Sequence, residues 1–255
     1  MLEGIETGYE EKYDFPRRAA GPERVYVFAS VPRTGSTYFS HLLWQSGCLG
    51  APLEYLNFLP TGPYAFASGS PAVQTELWRS LLQRRTSPNG VFGIKCFPTQ
   101  MQELQQANPS LFMEVMSTIL PRDRRPYMVR LRRRDSVAHA ISYARAALSG
   151  VWRREQEAAA GAKVEFSADA VDRARALLAN EEAAWDRLIA IAGIEPLTIW
   201  YEDVLDDPQQ AVGAVAEFLN VTLDQAAAVS IPAVEKQSEA DPQLWAELYS
   251  AARPG

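Results

Sequence analysis

Two short stretches near the amino end restrict the fold more than any other part of the chain. Residues 25–30 read VYVFAS and residues 31–37 read VPRTGST. The first stretch is apolar up to its last residue and rich in β-branched and aromatic side chains, as is typical of a strand buried on both faces of a sheet. The proline of the second stretch cannot continue a strand, and its glycine permits a tight turn. The pattern predicts an inner β-strand, a tight loop, and a helix capped by Ser36 or Thr37.

The predicted loop is a candidate anion site. A strand, a hydroxyl-rich loop and a helix start together direct several backbone N–H groups toward one point, and a nucleotide phosphate is the obvious anion. The loop lacks the GxxxxGK[ST] pattern of the P-loop NTPases, because it has one glycine, no lysine after it, and a cation, Arg33, before it. From the loop alone, an ordinary strand-to-helix turn remains the alternative.

Three further apolar runs predict the other strands. They cover residues 91–96, 126–131 and 196–201, and helical patterns separate them. This alternation predicts an α/β fold with a P-loop-like, doubly wound and mainly parallel sheet flanked by helices. Ligands gather beyond the carboxyl ends of strands in such sheets, so we expect Lys95 beside the anion loop.

Length and composition indicate one domain. The 255 residues suffice for a single α/β domain with a full core, and no linker divides them, so we expect an N-terminal extension over residues 1–24 and one domain over residues 25–255. No apolar run approaches the ~20 residues of a membrane span, and no secretory signal is evident. We expect a cytoplasmic protein. Its oligomeric state stays open, with a homodimer among the alternatives.

The charged residues point away from nucleic acid and toward a local anion pocket. The net charge is −6, yet arginines crowd the interval between residues 122 and 134. Three of them, Arg132, Arg133 and Arg134, directly follow the third predicted strand. Their position at the ligand edge favours an anion pocket over a solvated face.

Several segments together resemble one family of enzymes. The loop, residues 133–142 and residues 200–208 are similar to those of bacterial sulfotransferases that use 3′-phosphoadenosine 5′-phosphosulfate (PAPS), the family typified by trehalose 2-sulfotransferase. The resemblance runs from Val25 to about Ser238. Four motifs carry it in order: PRTGST at 32–37, GAPLE at 50–54, NGVFGIK at 89–95 and VWR at 151–153.

The resemblance implies two groups of donor-binding residues. The first group, which would hold the 5′-phosphate, consists of Arg33, Thr34, Gly35, Ser36 and Thr37, with Arg33 close to the bridging oxygen. The second group, which would hold the 3′-phosphate, consists of Arg133 and Ser142, with Lys236 as an extra contact.

The resemblance also implies residues on the acceptor side. Glu54 corresponds to the catalytic carboxylate of the family. Ala51 replaces the family's first glutamate, so a sugar contact made there is absent. Lys95 either steadies the sulfate or simply ends a strand. Trp152 and Arg153 either shape the acceptor pocket or are a packed tryptophan and an exposed arginine.

The reaction that these residues imply is sulfuryl transfer to an alcohol. It needs an in-line acceptor hydroxyl, a base, and cations for the charge that gathers on the departing phosphate. Glu54 is the expected base and Arg33 the expected cation. The product would be 3′-phosphoadenosine 5′-phosphate (PAP), no metal is expected, and the acceptor implied by the resemblance is a carbohydrate or glycolipid hydroxyl.

Alternatives remain for the base and for the reaction. His41 and His139 compete with Glu54, although each is expected at a helix surface or boundary. A P-loop kinase would share the fold and needs an acidic Mg²⁺ ligand, for which Asp203 is the only weak candidate. A nucleotide binder without catalysis is the third alternative.

Overall fold

A parallel four-stranded sheet forms the centre of the protein, which was analysed as a computed structural model. The structure describes residues 6–123, 125–152, 164–234 and 240–253, with the backbone alone for residues 240 and 241. Along the sheet the strands follow the order β2-β1-β3-β4, and every neighbouring pair is parallel. The predicted α/β fold is confirmed.

The strands form where the apolar runs predict them. They are β1 (Arg24–Ala29), β2 (Val91–Cys96), β3 (Tyr127–Arg132) and β4 (Leu197–Trp200). Side chains of β1 alternate between two separate hydrophobic clusters: Val25, Val27 and Ala29 pack on one face, and Tyr26 and Phe28 on the other. Because both faces are buried, the strand is apolar throughout rather than alternating.

Helices cover both faces of the sheet. They are α1 (Ser36–Gln45), α2 (Pro71–Arg84), α3 (Pro98–Ala107), α4 (Pro109–Ile119), α5 (Ser136–Ser149), α6 (Ala168–Ala192), α7 (Tyr201–Asp206), α8 (Pro208–Phe218) and α9 (Ala240–Ala252). Residues of α1, α7 and α8 contribute to the cluster around Tyr26 and Phe28. Most of the other helices contribute to the larger cluster on the opposite face.

Two local predictions are wrong. The cap of α1 is Gly35 in the left-handed region, without a side-chain hydrogen bond, so Ser36 and Thr37 are the first helical residues rather than caps. The strand expected over residues 196–201 ends at Trp200, because α7 begins at Tyr201. The sheet edge therefore passes directly into a short helix at this point.

The chain before β1 packs against the body of the protein. Phe15 is buried in the larger cluster, and Asp14 forms ion pairs with Arg84 and with the fully buried Arg85. The hydroxyl of Tyr9 accepts a hydrogen bond from the backbone N–H of Glu54 at 3.0 Å. The division into an extension over 1–24 and one domain over 25–255 stays a prediction.

Candidate active site

The loop between β1 and α1 has the geometry of an anion cradle. Arg33 and Gly35 both have positive φ angles, 68° and 80°. Within the described parts of the chain, the backbone N–H groups of Gly35, Ser36 and Thr37 have no hydrogen-bond acceptor. Unpaired N–H groups at a helix start attract anions. The hydroxyl of Thr34 donates to the carbonyl of Val31 at 3.0 Å, which fixes the loop from within.

Tyr201 connects this loop to Arg133. A Cβ added to Gly35 would lie 2.3 Å from the Tyr201 ring, so the ring packs directly on the loop backbone. The guanidinium of Arg133 lies over the same ring, with Cζ 5.1 Å from the centroid. The two groups of residues expected to hold the two phosphates are therefore neighbours, and both contact the Tyr201 ring.

The three arginines at the end of β3 and directly after it have different surroundings. Arg134 pairs with Asp203 and Arg132 with Glu182, while both lie over the Trp200 ring. The Nε of Arg133 is buried and has no hydrogen-bond partner among the described residues. Of these three arginines, Arg133 is the one with a buried side-chain nitrogen that lacks a hydrogen-bond partner within the described chain.

Glu202 and Asp203 form hydrogen bonds with Arg134 in the segment after β3. Both carboxylate oxygens of Glu202 accept from the backbone N–H of Arg134 at 3.1 Å, and Asp203 pairs with the Arg134 side chain. The neighbouring guanidinium lowers the pKa of Asp203 through this hydrogen bond. Asp203, the one candidate for a Mg²⁺ ligand in a kinase, is thus bound to an arginine.

A second chain of polar contacts links Glu54 to the loop. Leu53 forms a parallel bridge with Ile94, which places Glu54 beside Lys95. The Nζ of Lys95 lies 2.9 Å from Oε1 of Glu54 and donates to the hydroxyl of Thr37 at 3.1 Å. Lys95 is buried with 1% of its side chain exposed. Its expected place beside the loop is what the structure shows.

Arg33 extends from the loop toward α5. Its Nε donates to the hydroxyl of Ser142 at 3.1 Å, and its terminal nitrogen donates to the carbonyl of Trp152 at 2.6 Å. The Trp152 ring is exposed and makes an edge contact with Tyr143 at 5.7 Å between centroids. Trp152 is thus an exposed residue next to Arg33 of the loop, and its place in the acceptor pocket stays a prediction. Arg153 and Lys236, the two remaining predicted site residues, lie outside the described residues.

Both histidines are buried, so the expectation that they lie at helix surfaces is wrong. Burial lowers the pKa of His139 to about 4, a hydrogen bond to the Pro32 carbonyl opposes this change, and the charges of Arg133 and Arg33 add to it. Neutral His139 donates from Nε2 to that carbonyl at 2.8 Å, directly before the loop. His41 bonds the carbonyl of Pro232 through Nδ1 at 2.9 Å and packs on Trp44.

Three residues in and around the candidate site were not identified by the sequence analysis. Gln100 donates to Glu54 at 2.9 Å, Tyr201 packs on the loop, and Trp185 donates from its indole to the buried carbonyl of Ser30 at 2.8 Å. Gln100 and Trp185 come from helices remote in sequence, and no local pattern identifies such residues. Tyr201 had one signal, its place at the carboxyl end of β4.

Two features are absent from the described residues. No group of three His, Cys, Asp or Glu side chains is placed to hold a metal ion in the described part of the chain. Within the same residues, none of the helices combines the length and apolar character needed to cross a bilayer.

The structure combines a parallel α/β sheet, an inner strand that leads into an anion cradle, and a carboxylate alongside, which is an arrangement suited to an enzyme that transfers an anionic group. The model of the Stf0 sulphotransferase family matches residues 25–252. The chain therefore belongs to the Stf0 sulphotransferase family and is a sulfotransferase. The predicted resemblance is confirmed, and the kinase and the non-catalytic binder are set aside.

Named relatives agree with this family. Trehalose 2-sulfotransferase of Mycobacterium tuberculosis is 27% identical over 263 residues, covering 91% of this chain and 96% of the relative. Trehalose 2-sulfotransferase of Mycolicibacterium smegmatis is 24% identical over 254 residues, covering 88% and 93%. Among solved structures, a sulfotransferase from Alicyclobacillus acidocaldarius is 16% identical with a TM-score of 0.45, covering 92% of this chain and 96% of that one.

Proposed function

We propose that this sulfotransferase moves the sulfuryl group of PAPS to a hydroxyl of a carbohydrate or glycolipid acceptor and releases PAP. The observation that carries the proposal is the contact chain Glu54–Lys95–Thr37. It joins the carboxylate of Glu54 to the loop, whose N–H groups at residues 35–37 have no acceptor among the described residues. These contacts support the proposal that Glu54, Lys95 and the loop act together as base, cation and phosphate cradle.

Each end of the site is suited to one phosphate of the donor. The N–H groups of residues 35–37 are suited to the 5′-phosphate. Arg133 is suited to the 3′-phosphate, because its buried Nε has no partner in the part of the chain that the structure describes. Ser142 is the second proposed contact of the 3′-phosphate, with Lys236 as a further one. In the structure Ser142 accepts from Arg33, so we expect Arg33 to exchange this contact for the donor.

The chemical step needs no covalent enzyme intermediate. The acceptor oxygen attacks sulfur, the bond between sulfur and the bridging oxygen breaks, and Glu54 takes the hydroxyl proton. The negative charge that appears on the bridging oxygen is stabilised by Arg33 and the loop N–H groups. Lys95 lies between Glu54 and Thr37, where its charge is suited to the sulfuryl oxygens. This chemistry requires no metal.

The acceptor is proposed at the level of a class. The trehalose 2-sulfotransferases are relatives with sugar acceptors in their names. Ala51 is buried and packs in the core, so no carboxylate at this position is available to a sugar. Trp152, and by the resemblance Arg153, would complete the acceptor wall, because an exposed aromatic face suits a sugar ring. A cytoplasmic location is part of the proposal, and a homodimer remains open.

A transfer assay tests the proposed function. Purified protein is incubated with radiolabelled PAPS, a chelator, and a panel of sugars, glycolipids and small alcohols. We expect labelled product from a sugar-containing acceptor in the presence of the chelator. Glu54→Gln should abolish transfer while PAP binding by calorimetry stays unchanged. No product with any acceptor, or transfer that depends on Mg²⁺, would contradict the proposal.

A further inference from the structure

We infer that Gln100 is a positioning residue that holds the carboxylate of Glu54 in the orientation needed for proton removal. The inference rests on the proposed function, because only there is Glu54 the base. Gln100 is the third residue of α3 and is 7% exposed. It belongs to none of the motifs that carry the family resemblance.

The two oxygens of Glu54 have different donors. Oε1 lies 2.9 Å from Nζ of Lys95, and Oε2 accepts from Nε2 of Gln100 at 2.9 Å. Asn57 also donates to Oε2 at a longer 3.4 Å. Donors on both oxygens fix the rotation of the carboxylate about its last bond. A carboxylate held in one rotation presents its oxygens to an acceptor hydroxyl in one orientation.

The orientation of the Gln100 amide is itself fixed. Its Oε1 accepts from the backbone N–H of Phe97 at 3.3 Å, as a residue at this position of a helix commonly does. Because the oxygen faces Phe97, the amide nitrogen must face Glu54. A flipped amide would bring two oxygens together and lose both hydrogen bonds. The start of α3 therefore sets the geometry of the base.

Lys95 and Gln100 have separate roles. Lys95 brings a positive charge and connects Glu54 to Thr37 of the loop. Gln100 is neutral, so it orients the Glu54 carboxylate without adding a second positive charge. Such a charge would bind the carboxylate more tightly to the protein. A base must lie within hydrogen-bond reach of the proton it removes, and a small rotation is costly for the rate.

Kinetics of three variants test the inference. Gln100→Leu removes the donor, Gln100→Glu keeps the size but replaces the donor with a carboxyl group, and Gln105→Leu is the matched control on an exposed position of the same helix. We expect kcat to fall about tenfold or more in both Gln100 variants, with PAP affinity within about twofold of the unsubstituted protein. The Gln105 variant should behave as the unsubstituted protein does.

The pH profile separates positioning from general damage. Loss of a hydrogen bond to a carboxylate raises its pKa, and a nearby like charge raises it further. The acidic limb of kcat/KM should therefore move to higher pH by about one unit in Gln100→Leu and by more in Gln100→Glu. A purely structural role would lower activity without moving this limb. Gln100→Glu keeps an acceptor for the Phe97 N–H, so the test can be made with this variant alone if the leucine variant does not fold.

A measurement without acceptor distinguishes failure of this inference from failure of the proposed function. The Glu54 carboxyl is followed by carbon NMR in protein labelled at its glutamate side chains, with Glu54→Gln to assign the signal. We expect a higher pKa of Glu54 in both Gln100 variants. Identical titration, or an unmoved acidic limb, would overturn the inference. Absence of transfer by the unsubstituted protein contradicts the proposed function, while the NMR titration still decides the role of Gln100.

Discussion

Arg33 has a left-handed backbone, with φ at 68°, although it is not glycine. This conformation costs about 1 to 2 kcal/mol for a residue with a Cβ, so contacts elsewhere must hold it. The hydrogen bonds to Ser142 and to the Trp152 carbonyl supply such contacts. The sequence predicted a cation at this position, but the backbone conformation and its partners depend on a helix more than 100 residues away and were not predictable.

Replacement of Arg33 by alanine should affect the reaction more than binding. We expect kcat to fall about 100-fold or more, because the cation meets charge that develops only as the bond to sulfur breaks. PAP affinity should change much less. Steady-state kinetics and calorimetry measure the two effects, and Arg173→Ala, at an exposed position of α6, is the control. Unchanged kcat would contradict the role of Arg33 at the leaving oxygen.

At the scale of elements, the strands were predictable and the starts of two helices were not. The strand boundaries follow from apolar runs bordered by glycine, proline or charge, and all of them lie within a residue or so of prediction. The cap of α1 differs because Gly35 accepts the left-handed turn that hydroxyl residues avoid. The short α7 directly follows β4, and its apolar content is too small to give a helical period.

The turn before α1 depends on Gly35, so a substitution at this residue should lower both the stability of the protein and its affinity for PAP. In Gly35→Ala the new Cβ meets both a positive φ of 80° and the Tyr201 ring at 2.3 Å. We expect the free energy of unfolding to fall by about 2 kcal/mol and PAP affinity to fall about tenfold or more.

A second alanine substitution is the control for that prediction. Gly213 lies within α8, has no atom within 4 Å of an added Cβ, and has no positive φ. Gly213→Ala should leave PAP affinity unchanged and raise the free energy of unfolding by about 0.5 to 1 kcal/mol, since alanine favours helix. Urea unfolding and calorimetry measure both variants. Equal behaviour of the two would contradict the account of the loop.

For the whole molecule, the sheet brings together residues that are far apart in sequence. Parallel strands end at one edge, so the loop after β1, Lys95 on β2 and Arg133 after β3 were predictable as neighbours. The part played by the first residues was not predictable. Tyr9 contacts the backbone of Glu54, and in the same segment Asp14 pairs with Arg84 and Arg85. Such long-range pairs leave no periodic pattern.

Stability should fall in mild acid because of His139. Its pKa is about 4 in the folded protein, because burial disfavours the charged ring, and about 6.5 when unfolded. Between these values the unfolded chain binds more protons, so the free energy of unfolding falls as pH falls from about 6.5 toward 4. Urea unfolding at pH 7.5 and at pH 4.5 measures this effect. The free energy of unfolding lost between the two pH values should be about 2 to 3 kcal/mol larger in the unsubstituted protein than in His139→Gln. Equal losses would contradict a buried neutral histidine.

The central claim is that one donor is held at two phosphates, by the loop after β1 and by Arg133, both of which contact the Tyr201 ring. Calorimetry with PAP and with adenosine 5′-phosphate, which lacks the 3′-phosphate, tests it most directly. The account predicts that PAP binds about tenfold or more tightly and that Arg133→Ala removes most of this difference. Equal affinities in the unsubstituted protein, or a preference that survives in Arg133→Ala, would contradict it.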